Sequence, residues 1–315
     1  MNSLKVFSGN ANPALAQEIC QELYIDLGKI EIIKFSNENI KVKINENVRG
    51  SDVFVIQPSC SPVNEGIIEL LIIIDALKHS SADRITAVIP YFPYVRSDKK
   101  DEPRISITAR LMADLLEASG ADRVLTMNLH SNQVQGFFRI PVDQLTAVDL
   151  INDYFKKRDL TNHVVVAPDA GSAKRSGVFA SLLNLPMAIM DKRRSDDTEQ
   201  PRIYHVIGEV KGKQVLLFDD EISTGNTILN VTKVLEDFNI KSISSSCVHA
   251  VLCNGAAQRI QNSSINELVV TNSVRIDENK KIPKMTILSV APLLANAIKR
   301  IHLGESISEL FKSTH

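Results

Sequence analysis

The chain has 315 residues, of which 44 % are hydrophobic and 23 % are charged, and its formal net charge is −1. These values predict a globular protein with about two domains and exclude a disordered chain. They provide no overall positive field that would attract nucleic acid or an anionic membrane, so we expect neither partner.

The cysteines and the apolar segments indicate a cytoplasmic protein. Cys20, Cys60, Cys247 and Cys253 form no Cys-x-x-Cys pair, which favours reduced thiols over a zinc site. The amino terminus lacks the pattern of a signal peptide, and the most apolar segment, residues 66–77, is short and contains two acidic residues.

Strands and amphipathic helices alternate from the start of the chain. The pattern predicts a strand ending near Gly9, a helix over residues 13–23 and a strand over residues 30–35. A similar series follows about 160 residues later, with a strand over 164–166, a helix over 174–183 and a strand over 187–190. The chain therefore contains an internal repeat.

The two series continue in parallel over the following segments. Residues 49–56 correspond to 211–218, 85–90 to 247–252, and 124–129 to 268–272, and a helix over 104–118 is predicted in the first half alone. We predict an α/β fold with two tandem domains, 1–146 and 147–292, each a mostly parallel sheet flanked by helices. Helices over 293–315 are expected to pack on the first domain.

Two adjacent carboxylates, Asp219 and Asp220, follow the apolar run 215–218 at the predicted carboxyl end of a strand, where open α/β sheets bind ligands. Residues 223–227 then offer hydroxyls, backbone N–H groups and Gly225 before a helix, whose amino terminus favours an anion. The nucleotide motif Gly-x-x-x-x-Gly-Lys-Ser/Thr is absent. The pattern indicates a sugar-phosphate site, in which the carboxylates bind ribose hydroxyls or approach a metal. A solvated acidic turn before a capped helix is the alternative.

Two further loops follow predicted strands in the second half. Residues 168–173 precede Lys174 and Arg175 and could bind a diphosphate, with Asp169 available to a magnesium ion. The run 191–194, Asp-Lys-Arg-Arg, could close over a transferring phosphoryl group and neutralise its charge. A capped helix and a solvated cationic surface are the ordinary alternatives.

The first half gives weaker signals. His130 lies among amides at a predicted strand end and is a candidate for a metal or phosphate role, although a lone histidine is more often a surface residue. Residues 91–104 combine aromatic and basic side chains that can stack a nucleobase and bind phosphates, or simply form an exposed charged loop. Residues 35–39 offer a ring and amides to an adenine edge.

Together these stretches resemble the ribose-phosphate pyrophosphokinases, the synthetases of phosphoribosyl diphosphate. The likeness extends along essentially the whole chain and includes residues 8–12, 46–50, 130–138, 168–171 and 191–194. It implies two type I phosphoribosyltransferase-like domains, with ATP and oligomer contacts in the first and the ribose 5-phosphate site and catalytic loop in the second.

The resemblance also implies the reaction. The family transfers the β,γ-diphosphate of ATP to the anomeric hydroxyl of ribose 5-phosphate with Mg²⁺. The products are AMP and 5-phosphoribosyl 1-diphosphate, which supplies nucleotide, histidine and tryptophan biosynthesis. A homo-oligomer is implied as well, commonly a hexamer built from dimers.

Site residues carry over from the family by position. Lys192 and Arg194 would be the catalytic cations. Ribose 5-phosphate would bind to Asp219, Asp220, Ser223, Thr224, Gly225, Asn226 and Thr227. The diphosphate loop would comprise Asp169, Ala170, Gly171 and Ser172. ATP would bind to Phe35, Asn37, Asn39, Arg96, Ser97, Asp98, Lys99 and His130, with the Phe35 segment supplied by an adjacent subunit. His130 and Asp169 would serve the metal.

The chain departs from the family pattern in three loops. The adenine loop usually reads Phe-Ser-Asp-Gly-Glu, the phosphoribose loop has Asp and Met in place of Ser223 and Glu221, and the ATP loop has Gln in place of Ser97. These changes bear on donor preference and on control by phosphate or ADP more than on the reaction.

Two other functions are open to a chain of this kind. One is a catalytically silent homologue that regulates an active partner, and the other is a type I phosphoribosyltransferase. The six retained residues Lys192, Arg194, His130, Asp169, Asp219 and Asp220 favour the enzyme over the silent homologue. A phosphoribosyltransferase would leave the duplicated first half and His130 unexplained.

Overall fold

The computed structural model describes residues 2–193 and 203–311, which form two compact units. The first unit contains the chain up to Ala147, Ser273–Arg275 and the segment that begins at Ser289, and the second contains Val148–Asn272 and Ile276–Leu288. Across the described ranges, every helix is too short or too polar to cross a lipid bilayer.

A five-stranded parallel sheet forms the centre of the first unit. The elements of this unit, in chain order, are β1 (Leu4–Ser8), α1 (Pro13–Leu23), β2 (Ile30–Lys34), β3 (Ile40–Ile44), β4 (Asp52–Ile56), α2 (Val63–His79), β5 (Arg84–Ile89), α3 (Thr108–Ser119), β6 (Arg123–Met127) and β7 (Val142–Leu145). The strand order in the sheet is β1-β4-β5-β6-β7. β4 is buried along its whole length, as expected for an apolar interior strand of a parallel sheet.

β2 does not join this sheet. It pairs antiparallel with β3 to form a separate hairpin. The turn is possible because Glu38 adopts a positive φ of 67°, which tightens the connection between the strands. Ile40, Val42 and Ile44 alternate with two lysines, so one face of β3 can pack against α2. The strand β2 therefore matches residues 187–190 in sequence, but it pairs in a separate hairpin, whereas residues 187–189 pair within the main sheet of the second unit.

The second unit has a seven-stranded sheet. Its elements are α4 (Val148–Lys156), β8 (His163–Ala167), α5 (Ala173–Leu183), β9 (Met187–Arg193), β10 (Ile203–Ile207), β11 (Gln214–Ile222), α6 (Asn226–Glu236), β12 (Ser242–Ala250), α7 (Ala256–Gln261), β13 (Ile265–Thr271) and β14 (Met285–Leu288). The strand order is β10-β9-β8-β11-β12-β13-β14, and β10 alone among them pairs antiparallel.

The internal repeat is visible in the strand order of the two sheets. The series β1-β4-β5-β6-β7 has the same order along the chain and in space as β8-β11-β12-β13-β14. α7 lies between β12 and β13, as α3 lies between β5 and β6. The expectation that this helix occurs in the first half alone was wrong, because α7 is short and has little periodic pattern.

The chain ends its described part with α8 (Ala291–Leu303), which belongs to the first unit and packs against α1. The carboxyl end of α8 is anchored by Asp52 at the start of β4. The Asp52 carboxylate contacts Nδ1 of His302 at 2.8 Å and accepts a hydrogen bond from Nε of Arg84 at 2.8 Å. Arg84 also donates to the carbonyl oxygen of Ile301.

A buried carboxylate of α2 joins two strand ends in the first unit. Glu69 of α2 is 4 % exposed. It accepts hydrogen bonds from the backbone N–H of Asn10 at 2.6 Å, from Nδ2 of Asn10 at 2.8 Å and from Nε2 of Gln57 at 2.8 Å. These contacts link the carboxyl ends of β1 and β4 through one carboxylate, whose hydrogen bonds compensate for its burial.

Replacing Glu69 by alanine should lower the free energy of unfolding by about 2 kcal/mol, because the buried Gln57 amide and two donors of Asn10 lose their acceptor. Urea denaturation of the full chain measures the change. Glu65→Ala is the matched control on the same helix, since Glu65 forms a surface ion pair with Lys34 that is worth well under about 1 kcal/mol. Equal effects of the two substitutions would contradict the role given to Glu69.

Candidate active site

β11 carries the acid pair of the second unit. We expected the strand to end before Asp219, but it continues to Ile222, because its backbone pairs with β12 as far as Ala250. The Asp219 side chain is 19 % exposed and that of Asp220 is 5 % exposed. Asp219 is therefore the more accessible carboxylate of the pair.

Arg175 of α5 bridges both carboxylates. Its Nη1 donates to Oδ2 of Asp220 at 3.0 Å, and its Nη2 donates to Oδ1 of Asp219 at 3.2 Å. Sequence reasoning placed Arg175 with a diphosphate loop and missed this contact, since nothing in the local pattern shows which way the side chain points. The planar guanidinium is suited to bridging two oxygens in this manner.

The environment of the pair favours a proton on Asp219. Burial raises the pKa of Asp219 to about 8, the neighbouring Asp220 adds to the increase, and Arg175 opposes it. Beneath the pair, burial also raises the pKa of the Cys247 thiol, and the Asp219 charge adds to that effect. The acid pair thus lies over an apolar interior and depends on Arg175 for a counter-charge.

Residues 223–225 join β11 to α6, and the predicted phosphate loop 223–227 continues into the first two residues of the helix. Gly225 occupies the N-cap position of α6 with a φ of 73°, a conformation that favours glycine, and no side chain caps the helix. The first N–H groups of a helix have no carbonyl partner within it, so this uncapped end presents donors to an anion. The structure thus places the acid pair near the end of β11 and the predicted phosphate loop directly after that strand.

The next connection of the sheet supports this loop. Backbone N–H groups of Leu252 and Cys253 donate to the carbonyl oxygens of Ile222 and Ser223, both at 3.1 Å. The Ser223 hydroxyl also contacts Sγ of Cys253 at 3.2 Å. These contacts tie the loop to the connection after β12, and no local sequence pattern predicted them.

The predicted diphosphate loop begins directly after β8. Oδ1 of Asp169 accepts a hydrogen bond from the backbone N–H of Ser172 at 2.8 Å, and the Ser172 hydroxyl donates to the Asp169 carbonyl at 2.9 Å. Asp169, Ala170 and Gly171 are exposed, whereas Ser172 is buried. The loop is a reciprocally capped turn with an accessible carboxylate at its start.

The predicted catalytic cations lie at the end of the described segment. The backbone of Lys192 belongs to β9 and pairs with Tyr204 of β10. Arg194 lies outside the described residues. Within the described part of the chain, no cluster of three or more His, Cys, Asp or Glu side chains has the proximity that a metal ion requires.

The predicted ATP residues of the first unit lie on its connections. Phe35, Asn37 and Asn39 form the exposed tip of the β2–β3 hairpin, and the Phe35 side chain is 47 % exposed. The hairpin tip is closed by a hydrogen bond from the backbone N–H of Phe35 to the Asn39 carbonyl at 2.8 Å.

The remaining predicted ATP residues follow β5 and β6. Residues 96–99 come after β5, and His130, which is exposed, comes after β6. Because carboxyl ends of parallel strands share one edge of a sheet, both connections lie at the same edge of the first sheet.

An uncapped helix terminus beside a buried acid pair at the carboxyl edge of a parallel sheet defines a class of α/β proteins that bind phosphorylated ligands. Residues 4–120 match the family model of the N-terminal domain of ribose phosphate pyrophosphokinase. Residues 194–312 match the model of the phosphoribosyl synthetase-associated domain.

Full-length relatives agree with these matches. The chain is 49 % identical over 313 residues to the ribose-phosphate pyrophosphokinase of Clostridium perfringens, with 98 % of each chain covered. It is 47 % identical over 314 residues to that of Rhodopirellula baltica, with 99 % of each covered. A crystal structure of phosphoribosylpyrophosphate synthetase from Mycobacterium smegmatis is 41 % identical, has a TM-score of 0.91, and covers 96 % of this chain and 100 % of that one.

The chain therefore belongs to the ribose-phosphate pyrophosphokinase family, whose members are enzymes. The predictions of the α/β fold with parallel sheets, of the family and of an enzymatic function are confirmed.

Proposed function

We propose that the chain transfers the β,γ-diphosphate of ATP to the anomeric hydroxyl of ribose 5-phosphate. The observation that carries this proposal is the acid pair, bridged by Arg175, that precedes the uncapped amino terminus of α6. Such an arrangement offers acceptors to sugar hydroxyls and donors to a phosphate within one connection. The family names of the full-length relatives support the same reaction.

Ribose 5-phosphate binds through its two polar ends in this proposal. Backbone N–H groups and hydroxyls of residues 223–227 hold the 5-phosphate, which the α6 terminus stabilises electrostatically. Asp219, the more exposed carboxylate, accepts hydrogen bonds from ribose hydroxyls. Asp220 is nearly buried and holds Arg175, so it orients its neighbour while contributing to the same acceptor surface.

ATP is bound by residues of the first unit in this proposal. Phe35 stacks on adenine, and the amides of Asn37 and Asn39 pair with its edge. Arg96, Ser97, Asp98, Lys99 and His130 contact the phosphates and sugar. The exposed hairpin tip supports a role in which this segment serves an adjacent subunit, and so a homo-oligomer, a hexamer built from dimers, is part of the proposal.

Asp169 fits a magnesium ion, because it is an exposed oxygen donor at a strand end and only its Oδ1 accepts the hydrogen bond of the turn. His130 is the second candidate ligand. Bound Mg²⁺ would neutralise charge on the diphosphate. The chain's own contribution is to position Asp169 at the start of the loop whose remaining residues, Ala170, Gly171 and Ser172, approach the diphosphate through backbone N–H groups.

Lys192 and Arg194 stabilise the charge that develops on the transferring group. Attack of the anomeric hydroxyl on the β-phosphorus requires in-line positioning and charge neutralisation rather than a covalent nucleophile. Lys192 near the end of β9 and Arg194 just beyond it in the sequence supply that charge. We assign the reaction to the cytoplasm. The four free cysteines support this assignment, because thiols stay reduced in that compartment.

A coupled product assay tests the proposal. The full chain is incubated with ribose 5-phosphate, Mg²⁺ and ATP, and AMP is measured together with phosphoribosyl diphosphate. Equal amounts of both products are expected. If neither forms with any nucleoside triphosphate, the proposal fails in favour of the silent homologue, which no feature of the chain or of its relatives favours.

A further inference from the structure

Arg259 of α7 has no role in the mechanism described above, although it contacts the phosphate loop. Its Nη1 donates to Oδ1 of Asn226 at 2.8 Å, and its Nη2 donates to the backbone carbonyl of Thr224. The side chain reaches these atoms from the connection that follows β12, which is the next connection along the sheet. One guanidinium thus engages two acceptors on either side of Gly225.

Both acceptors would oppose an anion if they faced the loop interior. A phosphate needs donors, and a carbonyl or amide oxygen pointing at it would repel it. The Arg259 guanidinium holds the Thr224 carbonyl and the Asn226 amide oxygen on its own side. Arg259 therefore keeps these two acceptor oxygens away from the position at which the phosphate would bind.

The same contact sets the direction of a donor. The peptide bond between Thr224 and Gly225 is planar and trans, so its N–H points away from its carbonyl. By holding the Thr224 carbonyl, Arg259 turns the Gly225 N–H to the opposite side. This constraint acts next to a residue with a φ of 73°, at which the backbone of glycine has many alternatives.

The helix α7 supports the phosphate loop in two ways, through buried apolar residues beneath it and through the exposed Arg259 side chain. Ala256 and Ile260 of α7 are fully buried, and a Cβ built at Gly225 would lie 3.6 Å from the Ala256 Cβ. The inner side of the loop therefore rests on small apolar atoms of α7. The exposed Arg259 adds the polar contacts on the same helix.

We propose that Arg259 is a positioning residue for the binding of ribose 5-phosphate. It acts by holding the acceptor oxygens of residues 224 and 226 away from the bound phosphate. This inference rests on the proposed function of that loop. It assigns to α7 a part in substrate affinity that the acid pair and the loop do not supply alone. Arg259 acts through the loop and needs no contact with the substrate.

Calorimetric binding of ribose 5-phosphate to the full chain tests this role. Arg259→Ala should weaken binding about 10- to 30-fold, since two charge-assisted hydrogen bonds that fix the loop are lost. The dissociation constant for ATP and kcat should stay within about twofold of the wild-type values. The thermal midpoint should change by no more than about a few degrees. Gln258→Ala, on the same helix and bonded to Asn262, is the matched control and should leave every value unchanged.

A double-mutant cycle separates positioning from direct contact. If Arg259 acts through Asn226, the effects of Arg259→Ala and Asn226→Ala should be clearly less than additive, and the salt dependence of binding should be that of the wild type. Additive effects together with a weaker salt dependence would identify Arg259 as a phosphate ligand and overturn the positioning role.

The remaining outcomes also decide between explanations. Unchanged affinity in Arg259→Ala, or equal losses for ATP and ribose 5-phosphate, would overturn the inference. Failure of the proposed function gives a different result, because the wild-type chain itself would then not bind ribose 5-phosphate.

Discussion

Replacing Lys192 by alanine is expected to lower kcat by about 100-fold or more and to leave the affinity for ribose 5-phosphate nearly unchanged. The reason is that its proposed role is to neutralise charge that appears in the transition state rather than in the bound substrate. The backbone of Lys192 is next to last in β9, within the run 191–194. Single-turnover kinetics and calorimetric binding separate the two quantities.

Lys233→Ala provides the control for a lost cation. Lys233 is exposed in the last turn of α6, far along the helix from the loop at its amino terminus, so its removal changes net charge without changing the site. A parallel loss of ribose 5-phosphate affinity in Lys192→Ala would show that the lysine binds the ground state and would contradict the assignment.

Replacing Arg175 by methionine should lower kcat/KM about 100-fold or more, because the two charge-assisted hydrogen bonds that orient the acid pair are lost. The substitution also removes a counter-charge from two adjacent carboxylates of low exposure. Methionine fills much of the same volume, so the lost charge dominates the effect. Initial-rate kinetics at saturating ATP measure the loss.

The stability of Arg175→Met should depend on pH. Burial and Asp220 raise the pKa of Asp219 to about 8, and Arg175 opposes that increase, so the variant should have a still higher value. A raised folded-state pKa contributes stability that is present in full below the unfolded value and is lost as the pH rises through the folded value. The wild type therefore stops losing stability near pH 8, whereas the variant continues to lose it at higher pH.

The gap between the two proteins should consequently widen by about 1 kcal/mol between about pH 7 and pH 9. Urea denaturation at the two pH values measures the gap. Lys174→Met is the control, since Lys174 is the exposed neighbour of Arg175 on α5. A gap that is constant with pH would contradict the raised pKa of Asp219.

The parts of the fold that could be predicted from sequence are those with strong local patterns. Apolar runs predict the strands β4, β8 and β11 from their own composition. Glycine and hydroxyl side chains in the same way predict a loop at residues 223–227. The internal repeat could be predicted because corresponding elements follow one another in the same order in both halves of the chain, and the two sheets share that order. The pairing of β2 with β3 rather than with the sheet depends on tertiary packing against α2, which periodicity does not encode.

The contacts that complete the site could not be predicted for a related reason. Arg175 and Arg259 lie 44 and 35 residues from their respective partners Asp219 and Thr224, and only the folded sheet brings them together. Their side chains are long, and the direction of a long side chain depends on the neighbouring elements rather than on its own segment. Asp219 and Asp220 were identified from sequence because both the residue type and the position after an apolar run carry the signal.

The hydrogen bonds of Glu69 with Asn10 and Gln57 imply that substitutions in the two halves should have different consequences in the cell. In a saturation mutagenesis screen scored separately for protein abundance and for growth, changes at Glu69 should deplete the protein itself, because the buried carboxylate joins Asn10 and Gln57 at two strand ends. Changes at residues 223–227 should leave abundance near normal while growth fails. The two scores would then separate residues that maintain the fold from residues that serve the reaction.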